Sequence, residues 1–380
     1  NKYNPVVARL FNAFSFNYFN ANTSSQDEWK KFPAGIRSAF FVDWDAQSFA
    51  SLKRNIGQLN LVMPEWFFVD PQTDTLTYQL DAQGKEALRL MTAKGVAIMP
   101  MLSNNYNREF RTQGVDTILT NPAKAQKLID KAITICLQNH FAGINVDFES
   151  INLPENEPLS DFMRKISAAF HAKGLLVSAD IPPFNTDYDL DVFGKYCDYL
   201  VLMAYDEHTP DSDPGPVSSQ KWIESALDDM AAKVPNEKII LGLAQYGYQW
   251  PASKDSTVSA SLSYQQALSL AGKTGASIQF DEDTYNLSFS FAEKDSAAIT
   301  HQVYFTDAAT AFNTMRFATE YGLAGTAVWR LGSEDERIWN FYRSDMRKDS
   351  IARFDFNKLS HLSDATTVDY TGDGEVLDVL

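Results

Sequence analysis

Cysteine is nearly absent from this 380-residue chain: only Cys136 and Cys197 occur. Two cysteines build neither a disulfide framework nor a zinc ribbon. Cys136 falls on the apolar stripe of a helical segment, which fits a buried thiol. The five histidines are scattered without ligand spacing, so no metal is expected. No uninterrupted apolar run reaches about 18 residues, so no membrane-spanning helix is expected. Positive charge is also scarce: 33 Lys+Arg stand against 49 Asp+Glu, a net charge of −16. That balance excludes a general nucleic-acid binder and disfavours docking on anionic lipid. No G-x-G-x-x-G follows the first apolar run, which weakens a dinucleotide site. The chain opens at Asn1 without a signal-peptide pattern. The expectation is a processed piece of a longer protein.

Apolar content is ample, at 44% hydrophobic and 13% aromatic residues, so the chain folds. Eight short apolar runs recur: Arg37–Val42, Leu59–Val69, Val96–Leu102, Ala142–Glu149, Leu175–Ile181, Tyr199–Tyr205, Lys238–Tyr246 and Gly325–Trp329. Such runs suit strands buried on both faces of a parallel sheet. Helical stripes lie between them, around Ser48–Leu59, Lys85–Lys94, Pro122–Asn139, Leu159–Lys173, Ser219–Lys233 and Asp307–Tyr321, with a last helix expected over Asp335–Arg343. Asn121 and Pro122 mark a helix start. Gly95, Gly174 and Gly322 mark helix ends.

Eight strand–helix units in order imply an α/β fold, a (β/α)8 TIM barrel, over a doubly wound sheet. Residues 36–346 hold the barrel. Residues 249–306 break the rhythm and read as a small α+β insertion in the loop after the seventh strand, on the face where such barrels carry their sites. Residues 1–35 form an N-terminal extension. Residues 347–380 form a tail or linker toward a missing domain, with Tyr370–Leu380 reading as a turn and a strand.

The fourth run carries the chemistry. In a strand, alternate residues share a face, so Asn145, Asp147 and Glu149 point one way and Ile144, Val146 and Phe148 the other. The polar set must face the barrel interior, where it is costly unless paired or open to water. Residues two apart on a strand lie about 6.5–7 Å apart, so the two carboxyls can touch. One pKa then rises, which keeps a general acid protonated. Glu149, nearest the cleft, is the candidate acid, and Asp147 its charged neighbour. A structural hydrogen-bond cluster is the alternative.

The stretch Ala142–Glu149 is similar to the D-x-x-D-x-D-x-E motif of glycoside hydrolase family 18, the chitinase-like barrels. Asp147 and Glu149 match. Ala142 and Asn145 stand where the two earlier Asp would be. Met203-Ala204-Tyr205-Asp206 resembles the family's sixth-strand M-x-Y-D, and Trp329 its eighth-strand Trp. Gly242–Gly247 resembles the seventh-strand G-x-P-x-Y-G, with Ala244 in place of Pro and Tyr246 as its Tyr. The resemblance spans roughly Ile36 to Tyr342. Val42–Asp45, Pro64–Phe68 and Trp329–Asp335 narrow it to the module of bacterial envelope proteins that continue into a polysaccharide deacetylase and a glycosyltransferase. The tail resembles the connector into that deacetylase.

This resemblance implies a retaining glycosidase on β-linked N-acetylglucosamine polysaccharide, extracellular or in the cell envelope. It implies substrate-assisted catalysis with Glu149 as acid and base, Asp147 and Tyr205 on the substrate's acetamido group, and no cofactor. Asn145, Met203, Asp206, Trp329, Trp44, Glu65 and Tyr246 are the expected substrate-binding residues. Trp44 and Trp66 are each equally open to a sugar platform or to packing, Asp43 and Glu65 to hydroxyl binding or a salt bridge, and Asp180 to a ligand contact or a loop anchor. Trp29, Trp222, Trp250 and Trp339 read as packing or rim, and His208 as rim. The acidic stretch Asp206–Asp213 reads as a solvated loop and lacks the order of a calcium loop. The competing function is a catalytically weak or inactive, lectin-like glycan-binding barrel.

Overall fold

The computed structural model describes residue 32 and residues 35–354, other than 107–108, 252–259 and 294–295. Eight parallel strands form the barrel. They are β1 (Ile36–Phe41), β2 (Leu61–Asp70), β3 (Ala97–Ile98 and Met101–Ser103), β4 (Gly143–Asp147), β5 (Leu176–Ile181), β6 (Tyr199–Leu202), β7 (Ile239–Ala244) and β8 (Gly325–Trp329). β1 pairs with both β2 and β8, which closes the ring. β3 is read as one run in the sequence but is broken, because Pro100 has no N–H to give to a ladder.

Alternation along the strands sorts side chains into two layers. Phe40, Met63, Met99, Met101, Val201 and Ile240 pack inside the ring. Phe41, Val62, Ile144, Val146, Val177 and Leu241 pack outward against the helices. Phe32 joins the inner layer, edge-on to Tyr199 at 6.1 Å. Gly143 is required where β4 meets β5: a Cβ there would lie 2.0 Å from the Leu176 carbonyl oxygen.

The helices follow local chemistry. Asn121 Oδ1 accepts from the N–H groups of Ala123 and Lys124, both at 3.1 Å, and starts the helix Pro122–Asn139. Gly95 ends the helix Ala82–Lys94 at φ 66°, a conformation that costs glycine little. Two helices were not legible as stripes, Thr112–Thr120 and Leu190–Tyr196. Both are short, so their periodicity is weak. The helix expected over Asp335–Arg343 is instead a 3-10 turn, Glu336–Asn340. Asp335 fixes that turn by accepting from the backbone N–H groups of Arg337 and Ala308. The chain then bends so that Phe341 and Tyr342 enter the core.

After β7 the chain builds a five-stranded antiparallel sheet in the spatial order Ala260–Leu262, Gly247–Trp250, Ser296–Phe305, Asn286–Glu293, Gln279–Asp281. The helix Tyr264–Thr274 covers it. The sheet starts at Gly247, because Gly247–Trp250 pairs with the strand ending at Phe305. Residues 1–31 and 355–380, and with them most of the expected extension and the tail Tyr370–Leu380, lie outside the described residues. Phe354 packs on Phe312 at 5.0 Å. Among the described residues no helix is long and apolar enough to cross a membrane.

Candidate active site

The end of β4 sets the centre. Ile144, Val146 and Phe148 point outward into the helix layer, which turns Asn145 and Asp147 inward, where both are buried. Glu149 lies just past the strand and is half-buried. Asn104 pins its backbone: the Glu149 N–H donates to Asn104 Oδ1 at 2.9 Å, and Asn104 Nδ2 donates to the Glu149 carbonyl at 2.7 Å. Ser103 Oγ donates to Asp147 Oδ2 at 3.0 Å.

The charge of Asp147 acts directly on the Glu149 carboxyl. Burial raises the pKa of Asp147 to about 6, offset in part by Glu149 and by the hydrogen bond from Ser103. Burial and the adjacent Asp147 charge push Glu149 well above the ordinary carboxylate range. Near neutral pH the proton therefore sits on Glu149, beside an ionised Asp147. Beneath them, Asn145 Nδ2 donates to Asp180 Oδ2 at 2.7 Å, and Ser178 Oγ donates to Asn145 Oδ1 at 2.6 Å. Asp180 is buried, and burial together with the Asp147 charge holds its pKa well above normal. It is thus part of the carboxyl cluster and not a loop anchor.

The chain beyond β6 supplies the second wall. Tyr205 lies nearly parallel to Trp329, with ring centroids 6.4 Å apart and planes 19° apart. Gly242 leaves room for that ring: a Cβ there would stand 2.9 Å from Tyr205 Cε1. Burial and the carboxyls of Asp180, Glu149, Asp206 and Asp147 keep the Tyr205 hydroxyl protonated. Asp206 follows at φ 62°, a conformation aspartate tolerates better than most residues. Its Oδ1 accepts from Tyr246 at 2.5 Å and from Tyr248 at 2.8 Å. Met203 is buried with Tyr205, Val217, Ala244 and Tyr246 and packs behind this wall. Trp329 closes the floor, half-buried and edge-on to Phe40 at 5.0 Å.

A third group lines the rim beside β1 and β2. Trp44 Nε1 donates to Glu65 Oε2 at 2.7 Å. Burial raises the Glu65 pKa to about 7, against the pull of that hydrogen bond, with the Asp147 charge adding to the rise. The Arg330 guanidinium lies 4.3 Å from the Trp44 ring centroid and pairs with Asp45 at 2.6 Å. Trp66, open in the sequence to a platform role, is a core residue, and its indole donates to Asp43 at 3.0 Å. Trp250 and Trp339 are buried.

Asn145, Asp147, Glu149, Tyr205, Asp206, Tyr246 and Trp329 thus converge on one mouth, with Trp44 and Glu65 on its edge. The other acidic residues after β6 do not join them. Glu207 closes its own loop on Ser219, and His208 Nδ1 lies 2.9 Å from the Asp213 carbonyl. Among the described residues no group of three His, Cys, Asp or Glu side chains is arranged as metal ligands. The sequence reading missed Ser103, Asn104, Ser178, Tyr248 and Arg330. Ser103 and Asn104, a polar step closing an apolar run, carried a signal. Tyr248 and Arg330 did not, since only folding brings their loops to the mouth.

Acid–base chemistry beside an aromatic floor, at the C-terminal end of a closed (β/α)8 barrel, defines the class: this protein is a glycosidase. The model of the family "Glycosyl hydrolases family 18" matches residues 38–335, and the chain belongs to that family. It is 27% identical over 314 residues to the uncharacterized glycosylase YvbX of Bacillus subtilis (strain 168), covering 80% of this chain and 89% of that protein. It is 25% identical to the cortical fragment-lytic enzyme of the same organism, over 66% of this chain and 61% of that enzyme's length. The crystal structure of a chitinase from Chromobacterium violaceum superposes with a TM-score of 0.74 at 28% identity, covering 81% of this chain and 97% of the chitinase.

Proposed function

We propose that this chain is a retaining hydrolase of β-linked N-acetylglucosamine polysaccharide, working by substrate-assisted catalysis. The observation that carries the reading is the carboxyl pair at the open end of the barrel, with Asp147 buried at the end of β4, held by Ser103, and Glu149 just past it, pinned by Asn104. Glu149 gives its proton to the glycosidic oxygen. The carbonyl oxygen of the substrate's 2-acetamido group attacks the anomeric carbon as the glycosidic C–O bond breaks and the protonated leaving sugar departs, giving an oxazolinium, as in the exceptions to the two-carboxylate rule. Asp147 accepts from the acetamido N–H and balances its developing charge, and Tyr205 donates to its carbonyl oxygen. Glu149, now a carboxylate, takes a proton from a water whose oxygen attacks the anomeric carbon, the bond to the acetamido oxygen breaks, and the sugar leaves with its configuration retained.

Trp329 offers an aromatic face to the apolar side of the sugar ring. Asp206, oriented by Tyr246 and Tyr248, accepts from a sugar donor group. Two relatives, named as a chitinase and a cortical fragment-lytic enzyme, support a glycan of this class. An extracellular or cell-envelope setting fits a polymer of this kind.

Release of reporter from chromogenic N-acetylglucosamine oligosaccharides tests the reading. The wild type should release it with retained anomeric configuration, and Glu149→Gln should not. A wild type that binds the glycan but stays silent identifies a lectin-like module instead. Equal turnover of glycans lacking the acetamido group ends the substrate-assisted mechanism.

A further inference from the structure

Between Asp206 and the helix Gln220–Ala231 the chain runs through Glu207–Ser219, a loop that its acidic residues mark as solvated. It is instead clasped at its two ends. The Ser219 N–H donates to Glu207 Oε2 at 2.6 Å, and the Ser219 hydroxyl donates to Oε1 at 3.0 Å. The Glu207 N–H donates to the Val217 carbonyl at 3.0 Å. Ser219 holds the N-cap position of its helix but gives that helix no side-chain cap. A serine there ordinarily accepts from the first turn, so this hydroxyl serves the loop at the helix's expense. Inside the loop the His208 ring lies over Gly215, where a Cβ would stand 2.5 Å from it.

The clasped loop sends one apolar side chain inward. Val217 is fully buried and packs in one cluster with Met203, Tyr205, Ala244 and Tyr246. The insertion sheet ties the same loop from outside. Trp250 Nε1 donates to the Thr209 carbonyl at 3.0 Å. Asn286, wholly buried, donates from Nδ2 to the Ser218 carbonyl at 2.7 Å. The Gln220 N–H donates to the Thr284 carbonyl at 3.3 Å. Trp250 and Asn286 lie 41 and 68 positions along the chain from the groups they hold. A loop that only joined a strand to a helix would need none of these ties.

Resting on the function proposed above, we infer that Glu207 and Trp250 are positioning residues for the Tyr205 hydroxyl. Tyr205 and Asp206 run directly into the clasp, and Asp206 leaves the wall at φ 62°. Glu207 fixes where the chain goes next, Trp250 holds the loop at Thr209, and Val217 sets the loop against the Tyr205 cluster. The ring is thereby locked by packing and by supporting hydrogen bonds. Its hydroxyl donates to the acetamido oxygen that attacks the anomeric carbon. Misplacing reacting groups by about 1 Å costs up to about a hundredfold in rate, so the loop acts on kcat.

Kinetics on a chromogenic N-acetylglucosamine trisaccharide, with kcat and KM resolved and the full chain as enzyme, tests this. Glu207→Ala should lower kcat about tenfold and leave KM within about twofold. Trp250→Phe keeps a ring against Tyr248 and Tyr304 and removes the donor to Thr209. It should lower kcat about threefold. Glu207→Gln still accepts from the Ser219 N–H and should hold kcat within about twofold of wild type. In a Tyr205→Phe background, Glu207→Ala should cost less than about twofold, because the group it places is gone. Circular dichroism fixes a temperature at which every variant is folded. A tenfold loss that persists in the Tyr205→Phe background, a loss confined to KM, or wild-type kcat in either Glu207→Ala or Trp250→Phe overturns the inference. If wild type releases no reporter, titration with the N-acetylglucosamine trimer reads the same variants. Affinity that falls in Glu207→Ala, and falls no further when Glu207→Ala is added to Tyr205→Phe, keeps the positioning role while the hydrolase reading fails. Unchanged affinity in Glu207→Ala then ends both.

Discussion

Asn145 donates its side-chain amide to Asp180 Oδ2 at 2.7 Å, directly beneath the reactive carboxyls. The fourth strand carries an amide at this level, and the neighbouring strand supplies the acid. Asp180 keeps its proton because burial and the Asp147 charge both oppose its ionisation. A neutral Asp180 leaves Asp147 as the charge next to Glu149.

That arrangement makes Asp180→Asn a stabilising change above acidic pH. A carboxyl whose folded pKa is raised stabilises the fold fully only below its unfolded value, and that contribution is lost as pH rises through the folded pKa. Asparagine keeps an acceptor for Asn145 and removes the titration. Its melting temperature at alkaline pH should exceed wild type by about 2–4 °C, with the gap closing below about pH 4. Calorimetry across pH measures this, and a lower melting temperature at alkaline pH would mean that a charged Asp180 supports the fold.

Glu149→Gln should keep the fold and lose about two orders of magnitude or more in rate, the scale of a missing general acid. Circular dichroism checks the fold, and reporter release checks the rate. Activity within a few-fold of wild type would move the acid elsewhere.

The pair also sets the pH profile. Asp147 must be ionised, so kcat/KM should rise as pH climbs through about 6. Glu149 must hold its proton, so kcat/KM should fall once pH passes its raised pKa. The two limbs belong to the coupled pair rather than to either residue. Asp147→Asn should lower the rate and erase the acidic limb. A profile with that limb intact removes Asp147 from the role.

Glu65 gives a second, separable titration. Its folded pKa is about 7 against an ordinary value of 4.5, so its contribution to stability is present below that ordinary value and is lost as pH rises toward 7. Glu65→Gln still accepts from Trp44 Nε1. It should therefore show a smaller drop in melting temperature between about pH 5 and pH 8 than wild type does. An identical drop in both proteins would place the titration on another group.

Much of this was legible along the chain, for physical reasons that can be named. The run Gly143–Asp147 alternates polar and apolar residues, and a strand converts that alternation directly into two faces. The helix Pro122–Asn139 announced itself by an Asn cap, a Pro and a six-residue stripe. Trp66 and Trp44 are a counterexample. Trp66 lies inside an apolar run and Trp44 just past one, yet the first is a core residue and the second is half exposed. The helix Leu190–Tyr196 is too short to print a period, and the break at Pro100 lay inside a run that looked continuous.

Along the chain alone, the order of strands and helices, the inward face of the fourth strand and the place of Glu149 just past it were already set, because periodicity and capping act between residues close in sequence. Folding alone put Asp180 under Asn145 and aimed two tyrosines from beyond the seventh strand at Asp206. Those relationships link residues up to 42 positions apart. They exist only because a closed ring carries the first turn after every strand to the same end of the barrel.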